Sequence, residues 1–482
     1  MNYRMIAYIL GWILVFESLF MAVPAVTAIF YGESAFWYFL ITAVICLAAG
    51  FLIIRKKPDG KQLYSREGNV IVALSWILLS IFGALPFYMS GVIPSFTDAL
   101  FETVSGFTTT GASILSDVEA LPKSMLMWRS FTHWVGGMGV LVFIMAFLPL
   151  SGANNMHIMK AESPGPSVSK LVPRVKSTAL LLYKIYFVLT AAEFIMLLFG
   201  GMTVFDALNT SFATAGTGGF GIYNNSMGGF SPYLQIVVTV FMLLFSVNFN
   251  SYFLLISGKL RDALNTEVLV FFLIVAAVTG IITFNVSGLF STMGEAARHS
   301  AFTVASLIST TGFSTADFNV FPELSRTLLV MIMFIGACAG STGGGIKVSR
   351  IIILFKSMAK ELLVMVHPRQ VKKIKMGSHP IDHETVRSVN VFMVAYLMTF
   401  VISLVLLSFD DHDLITNFTA VTAALNNIGP GLELVGPTAN FGFFSTSAKL
   451  VLIFDMLAGR LELFPMLLLF TPVVTSLSRA LM

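Results

Sequence analysis

Residues 98–111 read DALFETVSGFTTTG, a short half-polar run that ends in threonines and a glycine. A related stretch, DALNTSFATAGTGG, occupies residues 206–219, and in both the aspartate stands thirteen residues before the last glycine. Two further stretches end in STTG at 309–312 and NNIG at 426–429. Repeats decide how the rest of a sequence is interpreted, because a missed repeat leads to the wrong fold. Four related stretches in one chain predict a fourfold internal duplication.

Each short run lies between two long apolar runs. A bilayer core takes about 20 apolar residues per helix, so a short run of 10–14 residues cannot cross it. Each unit therefore predicts a helix, a half-helix, a re-entrant loop and a second helix. The opening helices are expected at about 69–90, 180–200, 267–290 and 388–408, and the closing helices at about 130–150, 232–257, 325–357 and 447–473.

The composition agrees with a membrane protein. The chain has 482 residues, of which 56% are hydrophobic and 11% are charged, against about 25% charged in an average soluble domain. It supplies roughly ten apolar runs of spanning length. We predict an all-α polytopic membrane protein with two N-terminal helices and a cytoplasmic loop, followed by four pore repeats around one pseudo-fourfold pore. The predicted boundaries are 1–68 for the N-terminal helices, then 69–176, 177–264, 265–387 and 388–482.

Lysine and arginine concentrate around residues 55–66, 160–176, 259–261 and 347–387. The positive-inside rule places these segments and the N-terminus in the cytoplasm. The basic segment 369–375 has two interpretations that stay open here, attraction to anionic lipid or docking of a cytoplasmic regulatory subunit. No nucleic-acid partner is expected. Carboxylates that this topology places outside are Asp98, Asp117, Glu119, Asp410, Asp411 and Asp413.

The four loops have the residue types of an ion filter. Non-helical backbone at membrane depth survives only when it is buried in protein or lines a wet cavity. A ring of backbone carbonyls that replaces an ion's hydration shell gives four such loops a common purpose. Glycine permits positive φ, which turns successive carbonyls toward one axis. The half-helices point their negative C-terminal ends at that axis, which favours a cation.

Other classes of protein fit less well. A membrane-embedded enzyme needs His, Asp or Glu clustered near a nucleophile, and the sequence indicates no such cluster, so no enzymatic activity and no organic cofactor are expected. A proton- or Na⁺-coupled carrier, which needs ionisable side chains inside the membrane, remains the alternative. A pore with substantial Na⁺ permeation is a second alternative. Cys46 and Cys338 both fall in apolar runs and are predicted to be buried thiols.

Several longer motifs carry a family resemblance. They are WVGGMG at 134–139, AGSTGGGIK at 339–347, LNNIGPG at 425–431 and AGRLE at 458–462. With the four glycine loops, they resemble the Trk/Ktr/HKT superfamily of K⁺ transporters over nearly the whole chain. The resemblance implies potassium uptake across a bacterial inner membrane, with K⁺ as the transported ion. It also implies a homodimer in membrane lipid and a cytoplasmic ring of nucleotide-binding regulatory subunits of the TrkA type.

The resemblance also implies roles for particular residues. The filter ligands would be carbonyls just before each loop glycine, and a broken helix in unit three, at about 336–345, would block the pore below the filter. The implied filter residues are Thr109, Thr110, Thr217, Gly218, Thr310, Thr311, Asn427 and Ile428, shaped by Gly111, Gly219, Gly312 and Gly429. The implied gate residues are Gly340, Gly343, Gly344, Gly345 and Arg460.

Two details refine this expectation. Gly218 and Ile428 stand where other loops have threonine, so the pore is less symmetric than a homotetrameric channel and Na⁺ exclusion stays open. Arg460 lies 31 residues after Gly429, and Gly343 lies 31 residues after Gly312. Equal offsets in repeated units indicate equal depth. The arginine is therefore predicted to meet the glycine-rich segment across the pore.

Overall fold

The computed structural model of the chain describes residues 2–56, 64–139, 175–368, 373–377 and 379–470. The predicted helical residues 140–150, most of the basic loop 160–176 and the basic residues 369–372 lie outside the described residues. The described residues are mainly helical. Two strands of two residues each, Lys375–Met376 and His379–Pro380, form a small antiparallel pair.

The N-terminal region forms two apolar spans, as predicted. The first consists of helices Tyr3–Phe20 and Ala22–Tyr31, which meet at Met21, and the second is Phe36–Ile54. These spans approach closely, because a Cβ built on Gly50 would lie 2.8 Å from the carbonyl oxygen of Gly11. Such close approach through small residues is typical of helix packing in membranes, where apolar area alone drives no association.

The order of a long outer helix, a short pore helix, a loop and an inner helix then recurs four times. The outer helices are Ser65–Gly83 with its continuation Leu85–Met89, Val175–Phe199, Thr266–Asn285 and His383–Leu407. The pore helices are Phe96–Phe107, Val204–Ala215, Met293–Ile308 and Leu414–Leu425. The inner helices begin with Lys123–Gly137, Pro232–Ser246, Glu323–Ile335 and Thr446–Arg460. Among the described residues, further helices follow in units two, three and four, at Phe249–Ile256 with Leu260–Ala263, at Val348–Val366 and at Phe464–Leu469.

All four pore helices begin in the same way. In each, the N-cap side chain accepts a hydrogen bond from the backbone N–H three residues later, which satisfies one of the free donors at the start of a helix. The caps are Ser95, Thr203, Thr292 and Asp413. The sequence thus fixes where each pore helix starts. The opposite, C-terminal ends lead directly into the four loops, whose backbone N–H groups bond their last carbonyls.

The inner helices of units two, three and four are interrupted. Within the described ranges, six helices are long and apolar enough to cross a membrane, or seven when a bent pair is counted as one span. The roughly ten predicted spans include residues 140–150 and 471–473, which lie outside those ranges. The break in unit three falls where the glycines predict it. The breaks in units two and four are corrections to the predicted continuous helices 232–257 and 447–473. Unit two bends by 92° between Ser246 and Phe249, and unit four turns through positive φ at Glu462 and Leu463.

Candidate cation pathway

The four loops share one backbone conformation. Each has a non-glycine residue at positive φ, followed two residues later by a glycine at positive φ. The first set is Thr109, Thr217, Thr310 and Asn427, at 55°, 54°, 61° and 55°, and the second is Gly111, Gly219, Gly312 and Gly429, at 81°, 74°, 86° and 99°. Positive φ is uncommon outside glycine. Its recurrence at matched positions agrees with the predicted register, in which Gly219 rather than Gly218 corresponds to Gly111.

The loops meet in a closed ring. A Cβ on Gly111 would overlap the carbonyl oxygen of Gly218, and one on Gly219 would overlap that of Thr311. A Cβ on Gly312 would overlap the Ile428 carbonyl oxygen. The ring closes between units four and one, where a Cβ on Gly429 would lie 2.9 Å from the carbonyl oxygen of Thr110. Each loop glycine therefore lies against the carbonyl that immediately precedes the next loop glycine.

Side chains support the loops from behind. The Thr108 and Thr110 hydroxyls are 2.8 Å apart, and the Asn427 amide donates to the Thr110 hydroxyl at 2.9 Å. The same amide donates to the carbonyl of Met456, in the inner helix of unit four, at 2.8 Å. These hydrogen bonds hold the loop geometry, because each buried group that loses its partner carries a penalty of about 1–3 kcal/mol.

A cavity opens on the ring, and all four loop glycines line it. Hydrogen bonds between successive units surround this mouth. The Asn224 amide donates to Asp117 at 2.8 Å and holds the pKa of that carboxyl below its usual value. The remaining unit boundaries are joined by Met227 N–H to Ser314 O, Asn319 Nδ2 to Glu433 O, and Phe441 N–H to Ser113 O, at 2.9, 3.2 and 2.8 Å.

Below the ring, residues 336–347 of unit three form a non-helical segment that we call the glycine loop. The break in the inner helix of unit two receives it. The Phe249 N–H donates to the Gly340 carbonyl at 3.0 Å, and the Cys338 N–H donates to the Ser246 carbonyl at 3.1 Å. Interrupting a helix leaves unpaired backbone groups at both ends. In this structure the two irregular segments pair several of these backbone groups with each other, as non-helical backbone at membrane depth requires.

The glycine loop also contacts the ring above it. The Gly344 N–H donates to the Thr310 hydroxyl at 2.6 Å, and the Gly345 N–H donates to the carbonyl of Asn426 at 3.1 Å. A Cβ on Gly344 would overlap that same carbonyl. The loop therefore lies directly beneath the filter loops of units three and four, with no room for a side chain at Gly344.

Arg460 meets the glycine loop, as the equal offsets predict. Its guanidinium donates to the carbonyl of Thr342 at 2.7 Å. It also donates to the carbonyls of Gly136 and Gly137, at the end of the inner helix of unit one, at 2.5 and 2.6 Å. Hydrogen bonds from a charged donor are about twice as strong as neutral ones. Arg460 thus joins units one, three and four across the region beneath the ring.

The neighbouring carboxylates have other partners. Glu462 forms an ion pair with Arg350, and Asp455 accepts a hydrogen bond from the Ser403 hydroxyl at 2.7 Å. At the three contacts named above, the Arg460 guanidinium donates to backbone carbonyls.

Sequence reasoning missed two groups that hold the glycine loop. The buried Glu267 carboxylate accepts from the backbone N–H of Ala339 at 2.7 Å and from that of Ser349 at 3.1 Å. The buried Lys347 ammonium donates to the Gly343 carbonyl. Glu267 stands in the first turn of an outer helix, where acids are common for helix-dipole reasons. Nothing local distinguishes it from an ordinary capping acid.

The described residues contain no group of three or more His, Cys, Asp or Glu side chains suited to a metal ion. The ring instead offers uncharged carbonyls, which suit a weakly held, desolvated monovalent cation. A polytopic α-helical protein with re-entrant loops around one carbonyl-lined ring has the architecture of a cation transport protein of the membrane.

Comparisons with known proteins agree with this class. The sequence profile of the TrkH family, described as a cation transport protein, matches residues 36–476. The Trk system potassium uptake protein TrkH of Escherichia coli strain K12 is 38% identical over 98% of this chain and 99% of its own length. The Trk system potassium uptake protein TrkG of the same strain is 36% identical, over 97% and 98%.

A solved structure agrees as well. The crystal structure of the potassium transporter TrkH from Vibrio parahaemolyticus superposes with a TM-score of 0.88 at 36% identity, covering 98% of this chain and 99% of that one. The chain belongs to the TrkH family of cation transport proteins. It is therefore an integral membrane protein, as its composition predicts.

Proposed function

We propose that this chain takes up K⁺ across a bacterial inner membrane through a single gated pore. The observation that carries the proposal is the closed ring in which each loop glycine lies against the carbonyl preceding the next one. Four pore helices point their C-terminal ends at the ring, and their partial negative charges favour a cation there. The relatives named as potassium uptake proteins support K⁺ as the ion.

The ring's ligands in this proposal are the carbonyls of the two residues before each loop glycine. The four loops share one pattern of positive φ despite the different side chains at Gly218 and Ile428. The proposal therefore favours K⁺ over Na⁺ despite that asymmetry. The proposed ligands are Thr109, Thr110, Thr217, Gly218, Thr310, Thr311, Asn427 and Ile428.

The gate in this proposal is the glycine loop with Arg460. A fixed positive charge beneath the ring repels a permeating cation, and its bonds to Thr342, Gly136 and Gly137 tie the loop to neighbouring units. Opening requires these bonds to break. Cytoplasmic regulatory subunits of the TrkA type, a homodimeric state and a cytoplasmic N-terminus complete the proposal, supported by the basic segments and by relatives named for a Trk system. The ion passes chemically unchanged, so the chain is no enzyme.

Flux through purified protein in liposomes tests the function. We expect uptake of ⁸⁶Rb⁺ that external K⁺ competes away at far lower concentration than external Na⁺. Uptake should persist without a proton or Na⁺ gradient, since a pore needs only the gradient of its own ion. Equal competition by K⁺ and Na⁺ would overturn the assigned ion. An absolute requirement for a proton or Na⁺ gradient would replace the pore with a coupled carrier.

A further inference from the structure

The inner helix of unit one holds the filter loop of unit two through His133. This side chain is fully buried, and its ring lies between the two units. Its Nδ1 is 2.7 Å from the carbonyl oxygen of Gly106, and its Nε2 is 3.3 Å from the backbone nitrogen of Phe220. Because a carbonyl only accepts and an N–H only donates, these contacts assign the neutral ring with its proton on Nδ1.

The His133 ring fills the space that a side chain would take at Gly218. A Cβ on Gly218 would overlap the Cγ and Nδ1 atoms of that ring. Backbone conformation does not require glycine here, because Gly218, unlike Gly219, does not have a positive φ. The matching positions in the other loops carry Thr110, Thr311 and Ile428. The imidazole, rather than the turn, therefore excludes a side chain from the second loop.

Arg129, one helical turn before His133, supports the same loop. Its Nε pairs with the buried Glu102 carboxylate at 2.8 Å, and its Nη1 donates to the Gly221 carbonyl at 3.1 Å. Its guanidinium lies 4.0 Å from the centre of the Phe220 ring, which also lies 4.3 Å from the centre of the His133 ring. Two successive turns of one inner helix thus connect the pore helix of unit one to the loop of unit two.

We propose that His133 is a positioning residue for ion selectivity, acting through Gly218. The Gly218 carbonyl is the member of the ring that lies against Gly111. By occupying the side-chain space behind that carbonyl and bonding Phe220, the imidazole sets how far it projects toward the axis. This inference rests on the proposed potassium filter and assigns one of its determinants to a side chain outside the loops.

A pair of complementary substitutions tests the proposal. We expect His133→Ala and Gly218→Ala each to lower the ratio of Rb⁺ to Na⁺ flux about tenfold, a change of about 1.4 kcal/mol. The first variant removes the ring behind Gly218 and its hydrogen bond to Phe220, and the second forces a methyl group against the imidazole. In the double variant the methyl group occupies the space that the ring vacates. Its ratio should return to within about threefold of the parent, or roughly 0.6 kcal/mol.

Two controls show whether the rescue is specific to the contact between His133 and Gly218. His133→Ala should not rescue Gly219→Ala, because Gly219 has a φ of 74° and its Cβ would meet the Thr311 carbonyl instead. His133→Phe keeps a ring without its hydrogen bonds, so it should lower the ratio and should not be rescued by Gly218→Ala. Gel filtration and thermal unfolding in detergent establish that each variant is folded.

The outcomes also separate this inference from the proposed function. The parent and Gly312→Val, measured in the same assay, report on the filter itself. If the parent is selective and Gly312→Val is not, a double variant no better than the worse single variant overturns only the role of His133. An unchanged ratio in Gly218→Ala overturns it as well, even if His133→Ala fails to fold. A parent without selectivity overturns both.

Discussion

Arg460 is the residue on which the proposed gate depends. Its three carbonyl partners belong to two other units, so its side chain can keep all its contacts only while the glycine loop and the inner helix of unit one stay in place. A charged side chain inside a membrane costs free energy, and such residues usually have a function. In the proposed gate, the Arg460 charge repels cations in the pore, and its hydrogen bonds keep the glycine loop in place beneath the ring.

Replacing Arg460 with alanine should raise basal flux. Each hydrogen bond from a charged donor contributes about 1.5–3 kcal/mol. If only about 1.4 kcal/mol of the total favours the closed state, its loss raises the open population about tenfold. Uptake of ⁸⁶Rb⁺ into liposomes without partner proteins measures this. Arg460→Lys should give an intermediate rate, and the exposed Arg261→Ala should match the parent. Parent-like flux in Arg460→Ala would show that the arginine is structural.

The residues that sequence could identify are those that repeat. The loop glycines and their preceding residues recur in four units, so one local rule predicts all of them. Arg460 and the glycine loop could be related through equal offsets from two loop glycines. His133 and Glu267 could not be found this way, because each acts through partners in another part of the chain, with Glu267 separated from Ala339 by 72 residues.

At the scale of elements, the interrupted inner helices explain how irregular backbone is accommodated at membrane depth. Five glycines between Gly336 and Gly345 make the break in unit three predictable, because each costs about 1 kcal/mol relative to alanine in a helix. The break in unit two has no such signal. It is stabilised by the glycine loop that enters it, so only the three-dimensional arrangement reveals it.

Glu267 should act as the anchor of the glycine loop, and Cys338 can report on it. The Glu267 carboxylate bonds the backbone of Ala339 within the loop and of Ser349 just after it, and the Cys338 thiol is fully buried beside Ala339. Glu267→Ala should free the loop and raise the rate of Cys338 labelling by a membrane-impermeant thiol reagent about tenfold, matching about 1.4 kcal/mol. Mass spectrometry measures the labelled fraction.

Internal controls are available for that measurement. Cys46 is fully buried among the N-terminal helices and should stay unlabelled in all variants. Glu384 occupies the same first-turn position in the outer helix of unit four but is exposed, so Glu384→Ala should leave Cys338 protected. Equal labelling of Cys338 in the parent and in Glu267→Ala would mean that the carboxylate does not hold the loop.

At the scale of the whole molecule, the proposed orientation rests on charge. The positive-inside rule places the basic loops in the cytoplasm and the mouth of the cavity on the ring outside. A reporter fused after Lys176 or Lys373 should read cytoplasmic, and one inserted near Asp117 or Asp411 should read external. Paired phosphatase and fluorescent-protein fusions distinguish the two sides. A reversal at either pair would overturn the orientation and the assignment of the mouth.

The whole-molecule arrangement was partly predictable. Four similar units predict four similar backbones, and the structure gives their loops the same pair of positive-φ positions. Contacts between units could not be predicted from the sequence, because a repeat pattern does not indicate which carbonyl lies against which glycine. The ring order follows from side-chain and backbone contacts such as Asn427 to Thr110, which join residues at opposite ends of the repeated region.

The ratio of Rb⁺ to Na⁺ flux in glycine variants of the ring tests the account most directly. Gly312 and Gly429 have φ of 86° and 99° and lie against neighbouring carbonyls, so a β-branched side chain must displace the ring. Gly280 has open space where its side chain would be and serves as the control. We predict that Gly312→Val and Gly429→Val lose at least about tenfold in that ratio, or about 1.4 kcal/mol, while Gly280→Val retains the parent value. Parent-like selectivity in both folded ring variants would contradict a filter built from the four loops.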